Sequence, residues 1–375
     1  FNASGFMTLK AFWFKSNDVP QGISINESTL AFSPKQIDLQ SFSAQMGQSD
    51  FTMSGKISNY INYVFSNGTL NGSFTHYSTF INANEFLDEE DNASTEAATT
   101  ESSPFIVPDK LNLVFNSTIN RMLFDNLKIN GTRGKVTIID RKGILDGIKM
   151  ELLEGSMLMT GIYNSNDTMN VFADMHLNID NIDVSKTSEA FSAVRKLAPI
   201  ASYTEGRISF NMNYYSPFMT NGDVDLNKLT SSGYVSSPSL LVKNNSALDE
   251  LAKVTNNSRY KNLRTGSFKA NYIVENGKVI IKPFKVKVED KNMEIWGDHS
   301  LANVMDYRIK TTVAANELGS DVAKLVKLVS DPNKQLPVTV IIKGDIKKPV
   351  VSLDAKEALK QLQKDASKGL LKGLF

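Results

Sequence analysis

"VFADMHLNID", residues 171–180, sets how the rest of the chain is read. Val171, Ala173, Met175, Leu177 and Ile179 fall on one side, and Phe172, Asp174, His176, Asn178 and Asp180 on the other. Successive side chains of an extended strand point to opposite faces, so this alternation means one buried face and one wet face. "ISFNMNYY" repeats it, with Ile208, Phe210, Met212 and Tyr214 against Ser209, Asn211 and Asn213. "FKVKVED" (284–290) and "PVTVIIK" (337–343) do likewise, the latter with Val338, Val340 and Ile342 on one face. Asn-Gly signals in "SNGTLNG" (66–72) and "VENGKV" (274–279) predict antiparallel hairpins.

Helical periodicity is rarer. Residues 185–200 place Phe191, Val194, Leu197 and Ala198 on one stripe, and residues 246–255 place Leu248, Leu251, Ala252 and Val254 on another. Residues 317–332 give a third, with Pro332 as its stop. The last helix is expected over 354–374, with Asp354 as N-cap and Leu359, Leu362, Ala366, Leu370 and Leu374 as its apolar stripe. Lysines 356, 360, 364, 368 and 372 run beside that stripe, and Pro349 just before it marks an edge of the sheet. Two readings of this helix stand open. Its stripe caps the sheet, or Leu370, Leu371, Leu374 and Phe375 enter a membrane interface while the lysines meet anionic headgroups.

A unit recurs along the chain. "GQSDFTMSG" (47–55), "EGSMLMTG" (154–161) and "KNMEIWG" (291–297) each end on an apolar residue, a spacer and a glycine. A strand is expected after each, in "YINYVF", "TMNVFADMHLNI" and "DYRIKTTV", and then "INANEFL" (81–87), "IDNIDVS" (179–185) or "VAANELG" (313–319). The last two copies stand about 131 to 136 residues apart. Stacked copies of one unit imply a sheet that grows by addition. Residues 88–104 hold six acids, no base and almost nothing to bury, and read as a linker or solvated loop. The expected organisation is a β module over 1–87, the acidic segment over 88–110, and a second β module over 111–375.

Composition narrows function mainly by exclusion. The chain has 375 residues, is 41% hydrophobic, and carries 41 basic against 40 acidic residues, so a broad basic surface for nucleic acid is not expected. It has no cysteine, and no apolar run reaches the roughly 20 residues of a membrane-spanning helix. It starts at Phe1, and the expectation is a C-terminal portion whose N-terminal anchor lies outside it. His76, His176 and His299 are far apart and read as solvated strand residues, not ligands or bases. Gly131 and Gly134 read as turn punctuation. No nucleophile motif or paired carboxylates emerge, so neither an enzyme nor a metal or cofactor is expected.

Residues 18–74 and the tail 336–375 resemble the C-terminal region of the AsmA family of Bacteroidetes-type bacteria. The elements that carry the resemblance are Asp50 and Gly55 in "sD-x-x-x-x-G", the "ANEFL" and "ANELG" segments, and "GDIKKPVVSLD". The resemblance implies a periplasmic protein held in the inner membrane by an N-terminal segment, related to bridge-like lipid transfer proteins and serving lipid transport and outer-membrane homeostasis. It brings no catalytic residues. The expected fold is mainly β: an elongated, curved antiparallel sheet of repeated strand units with a few amphipathic helices and a C-terminal helix. Strands spaced about 4.8 Å apart would make roughly 15 to 18 of them a trough about 70 to 85 Å long. Its expected occupants are phospholipid acyl chains, lying on Val171, Ala173, Met175, Leu177, Ile179, Ile208, Phe210, Met212, Tyr214, Val338, Val340 and Ile342. The competing expectation is a scaffold with a filled core that binds another envelope protein.

Overall fold

The computed structural model describes residues 3–16, 19–86, 103–254, 257–315, 331 and 333–372. The chain is mainly β, 64% strand and 16% helix, in a curved, non-closed antiparallel sheet, as the alternating patterns require. Two compact units divide it: residues 1–180 with 212–229, and residues 181–211 with 230–375. The division therefore does not fall at the expected 88–110 segment. The strand before that segment and the strand after it pair along their length inside unit 1. Residues 87–102 themselves lie outside the described residues, as does the helix expected over 317–332 apart from residue 331.

Unit 1 is a succession of neighbouring strands: β1 (Gly5–Ser16), β2 (Val19–Phe32), β3 (Gln36–Met46), β4 (Ser49–Ser58), β5 (Leu70–Asn82), β6 (Leu111–Phe124), β7 (Leu127–Ile139), β8 (Lys142–Leu152), β9 (Gly155–Asn164) and β10 (Phe172–Asp183, up to Asp180). All pairings are antiparallel except β5–β6, which is parallel. "YINYVF" is not a strand but helix α1 (Tyr60–Ser66), bracketed by Asn59 and Asn67 in left-handed conformation. Ile61, Val64 and Phe65 have helical spacing, and Asn tolerates the left-handed φ that starts and stops the turn. Gly131 and Gly134 also differ from expectation. Both lie inside β7, where the register against β8 shifts, so they serve a bulge and not a turn.

In unit 2, β12 (Thr230–Ser237), β15 (Phe268–Glu275), β16 (Lys278–Val288), β17 (Lys291–Ser300), β18 (Val304–Ala314), β19 (Gln335–Asp345) and β20 (Lys348–Asp354) pair antiparallel in that order. Short β13 (Leu240–Val242) pairs with β14 (Leu263–Arg264) and with β11 (Thr204–Pro217). The expected helix over 185–200 is broken into α2 (Val184–Ala190), α3 (Ser192–Leu197) and a 3-10 turn, Pro199–Tyr203. The break is at Phe191, whose φ and ψ of −116° and 112° are extended. Arg195 Nη1 donates to the carbonyls of Ser188 and Glu189, satisfying the end of α2. Helix α4 (Ser246–Val254) forms as expected.

The repeat is exact in hydrogen-bond register. β3, β8 and β16 have 11 residues each, and β4, β9 and β17 have 10. Leu39 faces Gly55, Leu145 faces Gly161 and Ile281 faces Gly297, and directly after each pair the first strand carries one extra residue. The following strand lays Phe74, Met175 or Tyr307 across that glycine. A Cβ on Gly55, Gly161 or Gly297 would lie 2.3–2.4 Å from the neighbouring backbone oxygen. In the first copy Asp50 also ties β4 to β5, its carboxylate accepting from the backbone N–H of Thr79 and Phe80 at 2.7–3.0 Å.

The final helix, α5 (Lys356–Lys372), opens on an Asx turn in which Asp354 Oδ1 accepts from the Lys356 N–H at 3.0 Å. It lies on a face of the sheet: Ala355, Ala358 and Leu362 are buried against Val313, Leu336 and Val338. The row of lysines is solvated where described, at 356, 360 and 364.

Two stability tests follow. Gly161→Ala should destabilise by about 2 kcal/mol or more, whereas Gly143→Ala, which meets nothing within 4 Å, should fall within about 1 kcal/mol of wild type in urea titrations. Leu362→Ala should cost about 2–3 kcal/mol, and ending the chain at Asp354 should cost more; an unchanged urea midpoint in either would remove α5 from the core.

Candidate functional site: an unroofed apolar face

Register assembles one continuous apolar face in unit 1. One row runs across ten strands: Met7, Leu30, Leu39, Gly55, Phe74, Phe115, Val136, Leu145, Gly161, Met175. The next row on the same face is Gly5, Phe32, Ile37, Ile57, Gly72, Leu113, Ile138, Gly143, Tyr163, Ala173. Phe74 and Phe115 stack at 5.0 Å within it. Toward β10 it becomes rich in methionine, with Met150, Met157, Met159 and Met175 beside Leu177 and Ile179. Met is a compliant apolar surface, suited to ligands of variable shape.

Most of these side chains are half-buried, and in unit 1 no described α-helix lies across them; the 3-10 turn Ala83–Phe86 sets Phe86 edge-on against Phe51 at 6.3 Å at one margin. α1 buries none of its own residues, and Phe65 is 81% exposed. One margin near β9 is walled, where Tyr163 meets Phe218 edge-on at 5.6 Å and donates to the Phe105 carbonyl at 2.7 Å. Neighbouring side chains bury one another in part, as in the Phe74–Phe115 stack.

The sequence-derived candidates divide between two environments. Val171 and Ala173 are buried and Met175, Leu177 and Ile179 half-buried, all in unit 1, while His176, Asn178 and Asp180 are exposed as the alternation requires. His176 Nδ1 meets Asn213 Oδ1 at 2.8 Å, which aligns the polar faces of β10 and β11 and so their apolar ones, bringing Met212 and Tyr214 alongside. Ile208 and Phe210 are half-buried and belong to unit 2. Val338, Val340 and Ile342 lie on a face that the protein covers itself. α5 seats on Val338, while Leu251 and Ala252 of α4, with Tyr260, seat on Val340 and Ile342. In α5, Leu362 is buried and Leu359 half-buried; the side chains of Leu370 and Leu371, and all of Leu374 and Phe375, lie outside the described residues.

Two histidines correct the expectation that all three are solvated. His299 is buried beneath α3, with Nε2 2.9 Å from the Leu197 carbonyl and Nδ1 2.8 Å from Tyr307 Oη. A carbonyl only accepts, so Nε2 carries the proton and Nδ1 accepts from the tyrosine. His76 is buried on the apolar face of β5, 3.2 Å from Ser117 Oγ through Nδ1, with its ring 5.8 Å from Phe51 and Nε2 without a partner. Only the register opposite Gly55 and Gly297 fixes which face is inward. Among the described residues no three metal-ligating side chains converge, and no helix is long and apolar enough to cross a membrane. No family model, curated protein or solved structure matches the chain.

Burial pushes the pKa of both His76 and His299 below the ordinary 6.5, against weaker opposing pulls from Asp50 on the first and the Leu197 carbonyl and Asp298 on the second. As pH falls below 6.5 the unfolded chain therefore takes up protons that the folded chain refuses, and stability drops. Stability should be at its plateau above that pH and decline on acidification; His76→Gln combined with His299→Gln should flatten the decline in urea titrations between pH 7 and 5.

Proposed function

We propose that the chain binds phospholipid acyl chains along the apolar face of unit 1. The observation that carries this is the pair of unbroken ten-strand apolar rows, left half-exposed where the corresponding face of unit 2 is sealed by α4 and α5. Hiding an acyl chain from water is worth about 0.8 kcal/mol per CH2, or roughly 12 kcal/mol for 16 carbons, so a continuous apolar strip lowers the barrier to moving a lipid without any chemistry. The AsmA-like resemblance extends the proposal to a periplasmic protein anchored in the inner membrane and supporting lipid transport and outer-membrane homeostasis. The second reading, a scaffold that binds another envelope protein, is favoured by unit 2, where α4 and α5 pack directly on the apolar face.

Native mass spectrometry of the gently purified chain should find phospholipid bound. Met159→Asp with Leu177→Asp places charges on the open face, so the variant should fold yet lose at least about nine-tenths of its lipid. Val338→Asp buries its charge under α5 and should cost more than about 3 kcal/mol of stability. A lipid-free wild type, or full loading in the double variant, would sink the acyl-chain reading.

A further inference from the structure

The repeat marks one position of the open face as out of keeping with its frame. Two residues beyond Phe74, Met175 and Tyr307, which lie across the repeat glycines, come His76, Leu177 and Ile309. They face Met53, Met159 and Ile295. Leucine or isoleucine therefore satisfies the fold at this point, yet the first copy carries an imidazole. Its neighbour on the next strand departs in the same way: His76 pairs with Ser117, where Ile309 pairs with Val340.

The imidazole is 8% exposed and only half satisfied. Nδ1 lies 3.2 Å from Ser117 Oγ, while Nε2, the ring's outer nitrogen, has no partner among the described residues. The serine hydroxyl can donate to Nδ1, which keeps the ring proton on Nε2 as a donor. Thr132 Oγ1, buried in the next row opposite Ile119, has no partner among the described residues either. A buried donor with nothing to meet costs stability, so an imidazole held between Met53 and Ser117 calls for an acceptor that arrives with a ligand. Phe51, its ring centre 5.8 Å from the imidazole, and Phe86, which meets Phe51 edge-on and is 45% exposed, are the side chains such a ligand displaces.

The surroundings also select the acceptor's charge. Asp50, fixed by the Thr79 and Phe80 N–H groups, lies near enough for its negative charge to act on His76, and burial keeps the imidazole itself neutral. A carboxylate or phosphate would give up its hydration to meet a neutral donor beside that negative charge. An uncharged carbonyl would not. We infer that His76 Nε2 donates to the ester carbonyl oxygen of a lipid acyl chain lying on the open face of unit 1, with Ser117 holding the ring in the donating tautomer. This rests on the acyl-chain reading above and adds where on the face the polar end of the chain stops.

The test offers the full chain an equimolar mixture of dipalmitoyl phosphatidylcholine and its dihexadecyl ether analogue, which keeps two 16-carbon chains and lacks both carbonyls, and reads the bound lipid by native mass spectrometry. Wild type should prefer the ester by at least about fivefold, the worth of one hydrogen bond to a donor otherwise left unpaired. His76→Leu, which installs the residue of the second copy, should bind the two lipids alike. Equal binding by wild type overturns the inference and leaves the acyl-chain reading standing. So does an ester preference that survives in His76→Leu, or palmitate displacing the ester lipid, since the acceptor would then be a carboxylate. Binding of neither lipid fails the acyl-chain reading and this inference with it.

Discussion

A strand's side chains alternate, so a slip of one residue against its neighbour turns every apolar side chain toward water. Unit 1 must hold that alignment across nine successive pairings for its apolar rows to stay unbroken. The glycines at the repeat positions are what hold it. At Gly55, Gly161 and Gly297 the missing Cβ leaves room for Phe74, Met175 or Tyr307 to lie across the strand, and a slipped register would drive that side chain onto a residue with a Cβ. The extra residue that follows each glycine pair kinks the preceding strand and raises its twist, so the element that pins the register also bends the sheet.

The two units use this frame differently. In unit 2 the chain returns across its own apolar face: α4 and Tyr260 cover Val340, Ile342 and Val351, α5 covers Val313, Leu336 and Val338, and the Leu197 carbonyl closes over His299. The outcome is an ordinary layered core. In unit 1 the connections are mostly short antiparallel ones, β5–β6 being the parallel exception, and the one described α-helix, between β4 and β5, buries none of its residues. A half-covered face of this length is costly in water, which is the physical case for a ligand that completes it.

Much of the fold was legible in the sequence because strand alternation is a local property. Residues 171–180 display their inward and outward faces without any neighbour, and the "VENGKV" hairpin follows from Asn276 and Gly277, both at positive φ. The repeat was visible as three glycines because the close approach at each leaves no alternative residue. "YINYVF" was misread because six apolar-rich residues satisfy either period, and the flanking asparagines decide it only through backbone angles. The break at Phe191 escaped notice because a carbonyl-capping arginine carries no periodic signal.

The sequence by itself determined that this is a mainly β chain with one apolar and one polar side per strand, built on a repeated unit. It could not determine which apolar face is covered. Val338 and Met175 sit in equally clean alternations, yet one lies beneath α5 and the other on an open surface. Coverage is decided by where distant segments return, and that is a property of long-range packing which no local pattern encodes. The same holds for His76 and His299: their burial depends on strands and helices far along the chain, so only the tertiary structure turns two apparently solvated residues into buried ones.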